Sequence, residues 1–508
     1  VRNDSFNWNT TLNEAMDKTG GNASFVVSAG DQIQTTKKKS PGKSEMTSEI
    51  EYTGYLSPDV LKSLPVATTV GNHDADNANY TYHFNTPNSS DLGSNGVVGG
   101  DYYFTYGNTL FMMLNTQDTN AAEHKQFMEQ AIAANPNCTW RVVTLHQDIY
   151  GSAEHSNEPE ITNLRYTLVP YFEANDVDVV LTGHDHAYSR THILEGGHKT
   201  VEYTDDEFDA ELDKDMDAGE NPATRYEAPA NISADSKEPA DVAYLNYLNA
   251  VMDKDAVEDT EKGETVVNPD GILYMTANSS SGSKYYDLVP RMQSYIANRW
   301  QEDVPTYSVI DVTDNTFTIN TYRTDNDQKI DETFTIKKGV TEDIKSASVG
   351  KVKNQVYTGK QIQPALKVTL NGKTLKAGKD YTVTYADNKN TGLAKATING
   401  TGKYTGTQTV TFKIVPEKAV LKTVKTGKSG TATVTIGKAG GKVSGYAIQV
   451  STDSSFKKVT TYRTAKTTYT LKNLSKGKTY YVRVKAFTKV SDKNVYGAAS
   501  KTIKVKAK

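Results

Sequence analysis

The chain has 508 residues, 36% of them hydrophobic, and holds no apolar run long enough to form a membrane-spanning helix. Its single cysteine, Cys138, excludes both a disulfide framework and a thiolate metal cluster. The net charge of -4 conceals an asymmetry: from residue 340 onward there are 33 Lys+Arg against 7 Asp+Glu, and all nine histidines lie at or before His198. The His-bearing acidic part is where chemistry is expected, and the basic tail has another task.

In chain order, Trp8, Leu12, Ala15 and Met16 recur at helical spacing and Gly20-Gly21 stops the helix over 8–19. Phe25-Val-Val-Ser-Ala-Gly30 reads as a strand ending in Asp31. The charged stretch Lys37 to Lys43 reads as a solvated loop. A short helix over 60–64 precedes Pro65-Val-Ala-Thr-Thr-Val70, a strand running into Gly71-Asn72-His73-Asp74. Residues 77–100, rich in Asn, Ser and Gly, read as a long rim loop. A hairpin follows over 101–114, then helices over about 121–134 and 160–174. Between those helices Trp140-Arg-Val-Val-Thr-Leu145 ends in His146. After them Val177-Asp-Val-Val-Leu181 ends in Thr-Gly-His184-Asp-His186. Strands alternating with helices predict an α/β layered domain.

Four short β-rich runs thus each deliver a metal-type ligand at their C-terminal end, the edge where ligands bind in open α/β sheets. One His-x-His alone reads equally well as two turn histidines; four such strand ends do not. Taken together, GD, GNHD, LH and GHDH resemble the calcineurin-like metallophosphoesterase superfamily, closest to its purple-acid-phosphatase-like branch. The resemblance covers roughly residues 1–338. It implies a four-layer α/β (α+β) sandwich of two mixed sheets flanked by helices.

It also implies a dinuclear centre that activates water for attack on a phosphate mono- or diester. Carried over residue by residue, Asp31 would bridge two metal ions. Asn72, His146 and His184 would bind the second and His186 the first. His73 would contact the phosphate and assist the leaving group. His155 resembles a substrate-pocket histidine; its bland alternative is a plain loop residue. Tyr188 and Arg190 read as pocket-lining or structural.

Two departures stand out. The metal-binding tyrosine of purple acid phosphatases is replaced by Gln34, so two divalent ions (Mn, Fe, Zn or a mixture) are expected instead of a purple ferric site. The family's first motif, an aspartate-terminated strand upstream of Asp31, has no counterpart, Asp4 being preceded by no apolar strand. The chain is therefore expected to begin inside its own domain and to be weak as it stands.

Residues 199–268 form an acidic, partly helical insertion; Asp213-x-Asp215-x-Asp217 lacks the glycine and glutamate of a calcium loop. Strands are expected over 271–277, 306–312, 316–322 and 332–336. Beyond residue 342, Thr/Val/Tyr alternation and frequent Asn-Gly and Gly-Lys turns predict two all-β sandwiches. Residues 343–416 resemble a bacterial Ig-like module. Residues 417–508 resemble fibronectin type III, with Tyr480 at the position of a tyrosine corner.

The expected function is a secreted or cell-surface phosphoesterase acting on a phosphorylated small molecule or a phosphodiester. Its basic tail is expected to serve as a spacer or to meet an anionic cell-wall polymer; no nucleic-acid motif is present. The rival reading is an adhesion or scaffold protein carrying an inactive phosphoesterase domain. A serine hydrolase is disfavoured by the absence of a Gly-x-Ser-x-Gly elbow.

Overall fold

A computed structural model describes residues 5–35, 44–76, 78–197, 199, 203–217, 233, 235–257, 265–289 and 292–508. The Lys37–Lys43 loop lies outside the described residues, as does the middle of the acidic insertion. Two compact units are distinguished, residues 1–338 and 339–508.

The first unit opens with helix α1 (Ser5–Lys18), strand β1 (Val26–Ser28), α2 (Ser44–Leu56) and β2 (Val66–Thr68). Trp8 and Leu12 of α1 bury against Tyr55 of α2, and the Trp8 indole N–H donates to the Tyr55 carbonyl at 3.0 Å. That contact seats both helices over β1 and β2. Next come α3 (Asn79–His83), β3 (Tyr102–Tyr106), β4 (Thr109–Met113), α4 (Ala121–Ala134) and β5 (Trp140–Thr144). They are followed by α5 (Pro159–Ala174), β6 (Val179–Thr182) and β7 (Tyr188–Thr191).

The insertion contributes α6 (Asp205–Asp217) and α7 (Pro239–Met252), which join through Phe208, Leu212, Tyr247 and Val251. The Asp213–Asp217 stretch is thus helical rather than a cation loop. Strands β8 (Thr265–Val267), β9 (Leu273–Thr276), β10 (Ile296–Trp300), β11 (Thr306–Val312), β12 (Thr316–Arg323) and β13 (Phe334–Lys337) complete the unit.

A seven-stranded mixed sheet has the order β10-β7-β9-β6-β5-β4-β3, and a four-stranded sheet the order β11-β12-β13-β8. β4, β5, β6 and β9 are parallel neighbours and are mostly apolar because both their faces are covered. One face packs on α4 and α5 through Phe127, Met128, Leu164, Leu168 and Phe172. The other meets the second sheet through Trp140, Val142, Leu181, Met275, Phe317 and Ile336.

Among the described residues β1 and β2 pair only with each other, in parallel register. The ligand-bearing strands therefore do not form one continuous sheet. β2 is instead fastened at its end, where the Thr69 hydroxyl donates to the Leu114 carbonyl at 2.6 Å.

In the second unit, residues 348–415 hold β-strands around Val368, Tyr381, Ile398, Phe412 and Ile414. Residues 421–506 form a three-stranded and a five-stranded sheet that close on Val434, Ile448, Leu471, Val482 and Val484. The Tyr480 hydroxyl accepts the Ser475 N–H at 2.9 Å, the short backward reach of a tyrosine corner. No helix among the described residues is long and apolar enough to cross a membrane.

Candidate metal centre

Three strand ends are drawn together by backbone bonds: Leu114 N–H to Thr144 O, Leu145 N–H to Leu181 O, and Gly183 N–H to His146 O at 3.0 Å. The turns that follow are tight enough to need special residues. Gly30 has φ 91°, and a Cβ there would lie 2.4 Å from His146 Nδ1. A Cβ on Gly71 would meet the Asp31 N and Oδ1 atoms at 2.2 Å. Asp31, His184 and His186 themselves occupy the left-handed region, at φ 51°, 70° and 46°. Side chains rarely tolerate this conformation, and three instances at one place mark a site held by its surroundings.

The side chains of Asp31, Asn72, His146 and His184 converge. His146 Nε2 lies 3.0 Å from Asn72 Oδ1, 3.4 Å from Asp31 Oδ1 and 3.2 Å from His184 Nδ1. The other nitrogen, Nδ1, donates to the Ala29 carbonyl at 2.7 Å, which orients the ring with Nε2 toward these groups. His184 is held well below the usual imidazole range, first by burial and then by the neighbouring His146, which keeps its lone pair available. His186 donates Nδ1–H to the Lys284 carbonyl at 2.9 Å and lines the same cavity of about 810 Å³ as Asp31, His146 and His184.

This donor set fits divalent cations. Imidazole, amide and carboxylate groups, each able to present a lone pair to a cation, face one another at these separations. Two ligands each about 2.1 Å from one ion lie about 3.0–3.4 Å apart at ordinary bond angles, which matches the separations around His146. The outer carbonyls on His146 and His186 are the partners that orient metal-binding histidines. Among the described residues no group of three or more His, Cys, Asp or Glu side chains is placed closely enough to hold a metal ion as it stands. The structure holds a converging donor set rather than a closed coordination sphere.

His73 sits beside this set. Its backbone N–H donates to Asp31 Oδ1 at 3.0 Å, its Nδ1 meets the Gln34 carbonyl at 2.7 Å, and its Nε2 is 3.9 Å from Asp31 Oδ2. His155 also joins the site. Its ring centroid is 5.0 Å from that of His184 and 4.5 Å from that of Tyr286. Burial opposes its proton, but the Glu158 carboxylate, 2.7 Å from Nδ1, pushes His155 up to about 9. Tyr188 and Arg190 point elsewhere: both bond to Asp331, the guanidinium through two nitrogens, which is a structural role.

Several supporting residues carried no sequence signal. Asp74 accepts the Gln32 and Gly71 N–H groups and the Tyr52 hydroxyl, locking together the turns that carry Asp31 and Asn72. Burial and the Asp31 charge push it up to about 8. Asp185 accepts the Ala153 and His155 N–H groups at 2.9 and 2.8 Å, which sets His155 over His184. Tyr286, its hydroxyl 2.5 Å from Lys284 Nζ, lies 4.9 Å from the His186 ring. An acid between two site histidines was visible as a pattern; the Tyr286 contact depends on a 100-residue separation and was not.

Comparison with known proteins gives two family matches: Calcineurin-like phosphoesterase over residues 6–188 and Fibronectin type III domain over residues 421–502. Two uncharacterized proteins of Mycobacterium tuberculosis, from strains CDC 1551 / Oshkosh and ATCC 25618 / H37Rv, are each 26% identical over 156 residues. That stretch is 26% of this chain and 29% of each relative, so the chain spans under a third of the curated relatives it matches. Among solved structures, purple acid phosphatase PPD1 from yellow lupin (Lupinus luteus) seeds is similar at 14% identity and TM-score 0.40, over 65% of this chain and 49% of that one. The sixth fibronectin type III domain of a human fibronectin type III domain containing protein is 22% identical at TM-score 0.16, over 18% of this chain and 85% of that one.

Proposed function

We propose that this chain, which carries a calcineurin-like phosphoesterase domain and a fibronectin type III domain, is a metal-dependent hydrolase of phosphate mono- or diesters. The observation that carries this reading is the approach of Asn72 Oδ1, Asp31 Oδ1 and His184 Nδ1 to within 3.0–3.4 Å of His146 Nε2. Asp31, Asn72, His146, His184 and His186 would hold two divalent ions. Bound there, such ions supply Lewis-acid polarisation of the phosphate and a water acidic enough to attack it near neutral pH.

The chain's own groups orient and protonate. His73, fixed by Gln34 at Nδ1, presents Nε2 as the atom that delivers a proton to the departing oxygen. His155, fastened by Asp185 and flanked by Tyr286, offers a donor to the phosphate oxygens. The Asp74 bonds hold Asp31 and Asn72 in register before any ligand arrives, so no reorganisation is needed on binding. The basic C-terminal part is read as the portion that keeps the enzyme at an anionic extracellular surface.

The experiment is elemental analysis of the protein purified with Mn and Zn, alongside hydrolysis of p-nitrophenyl phosphate and bis-p-nitrophenyl phosphate. Bound metal together with turnover of either ester supports the reading. A protein that binds no metal and turns over neither ester belongs instead with non-catalytic scaffolds.

A further inference from the structure

The fibronectin type III part carries 21 Lys+Arg against 3 Asp+Glu over residues 417–508. Its five-stranded sheet comprises strands Gly445–Ser451, Thr460–Thr464, Thr479–Val490, Lys493–Tyr496 and Ile503–Lys506. Tyr446, Ile448, Val450, Val482 and Val484 face the core, so the alternate positions face away from it.

Register fixes which of these outward positions are neighbours. Arg463 stands opposite Ala447 and Ala447 opposite Lys485; Gln449 stands opposite Arg483; Tyr481 stands opposite Lys504. Four cations therefore share one face, on strands about 4.8 Å apart with about 7 Å between alternate residues along a strand. No acidic residue occupies an outward position of these paired strands among the described residues. No ion pair there neutralises them.

Neutral groups orient the two arginines. The Arg483 Nε donates to Gln449 Oε1 at 2.7 Å, and its guanidinium lies 4.0 Å over the Phe456 ring. Arg463 reaches the Tyr496 hydroxyl at 3.3 Å. Each guanidinium is thus preset by a polar or aromatic neighbour while its charge stays uncompensated. A merely solvated lysine-rich surface would not need this. Planar guanidinium groups held in this way can grip two oxygens of a phosphate through parallel N–H bonds, and they keep their charge at any working pH.

We infer that this sheet face is a docking surface for an extended, phosphate-bearing polyanion that lies across Arg463, Lys485, Arg483 and Lys504. The inference deepens the reading of the basic C-terminal part given above and does not depend on hydrolysis. The face would hold a repeating phosphate chain by successive charge-assisted hydrogen bonds, with affinity governed largely by counterion release.

The test uses the full chain and long-chain inorganic polyphosphate, with binding measured by fluorescence anisotropy across a series of salt concentrations. Two variants remove equal charge: R463Q/R483Q/K485Q on this face, and K425Q/K428Q/K472Q away from it. The expected result is tenfold or greater loss of affinity for the first variant. Its plot of log affinity against log salt should be shallower by about two. The second variant should stay within twofold of the parent. Equal losses in both variants would show a diffuse basic field and overturn the assignment, as would absence of polyphosphate binding by the parent chain. Ester hydrolysis and bound metal are read separately, so failure here leaves the phosphoesterase reading standing, and the reverse.

Discussion

His146 is fixed to the Ala29 carbonyl through Nδ1 and turned toward Asn72 through Nε2, 3.0 Å from the amide oxygen. One ring thus connects the end of β1 to the turn after β2, although neither strand pairs with its own strand, β5. His146→Ala should therefore remove a metal ligand and the contact that aligns Asn72. Metal content by elemental analysis should fall by at least one ion per chain, with affinity for the remaining ion weakened tenfold or more. Retention of full metal content would count against the assignment of His146.

The carboxylate of Asp74 accepts from three buried donors, the Gln32 and Gly71 N–H groups and the Tyr52 hydroxyl. Asp74→Ala should cost about 3 kcal/mol in urea unfolding, because it leaves several buried donors unmet at about 1–3 kcal/mol each. Tyr52→Phe, which removes only a donor to a carboxylate, should cost about 1–2 kcal/mol.

The Arg190–Asp331 pair is largely buried, the side chains being 11% and 4% exposed, and Tyr188 adds a third bond at 2.7 Å. Asp331→Ala strands a buried guanidinium, for which about 3–5 kcal/mol is expected. Bound metal should be unchanged in the folded variant, which separates this structural pair from the centre it neighbours in sequence.

Glu158 raises the imidazole of His155 above its unfolded value, so the stabilising contact is fully present below about pH 6.5. It is lost as pH rises through the folded value of about 9. In metal-free protein, Glu158→Gln should move the His155 titration down by about one unit or more, as followed by imidazole NMR. An unchanged titration would mean that Glu158 is not the group that holds the proton.

The Tyr480 hydroxyl accepts one bond, from the Ser475 N–H at 2.9 Å. Tyr480→Phe should cost about 1 kcal/mol, read as a lower melting temperature of the C-terminal unit, with no effect on metal content.

Much of the fold and of the donor set was legible because it rests on local pattern. α1, α4 and α5 show apolar residues at helical spacing, and β5 and β6 are mostly apolar, with a single arginine in β5. Each ligand follows directly on a strand or turn of that kind. α2 went unread because Ser44–Leu56 buries two tyrosines, Tyr52 and Tyr55, where an aliphatic stripe would be expected. β10 was missed because Ile296–Trp300 mixes Asn and Arg among its apolar residues. The roles of Asp74, Asp185 and Tyr286 depend on bonds between distant turns, and no periodicity encodes those. The separation of β1 and β2 from the main sheet was equally invisible, since each strand looks alone exactly as it would within a larger sheet.

The loop between β9 and β10 divides its labour at a single residue. Lys284 holds His186 with its backbone carbonyl, which every amino acid possesses, and touches Tyr286 with its ammonium, which only lysine supplies. Exchanging the side chain at position 284 can therefore alter the charge beside the centre while the support of His186 persists.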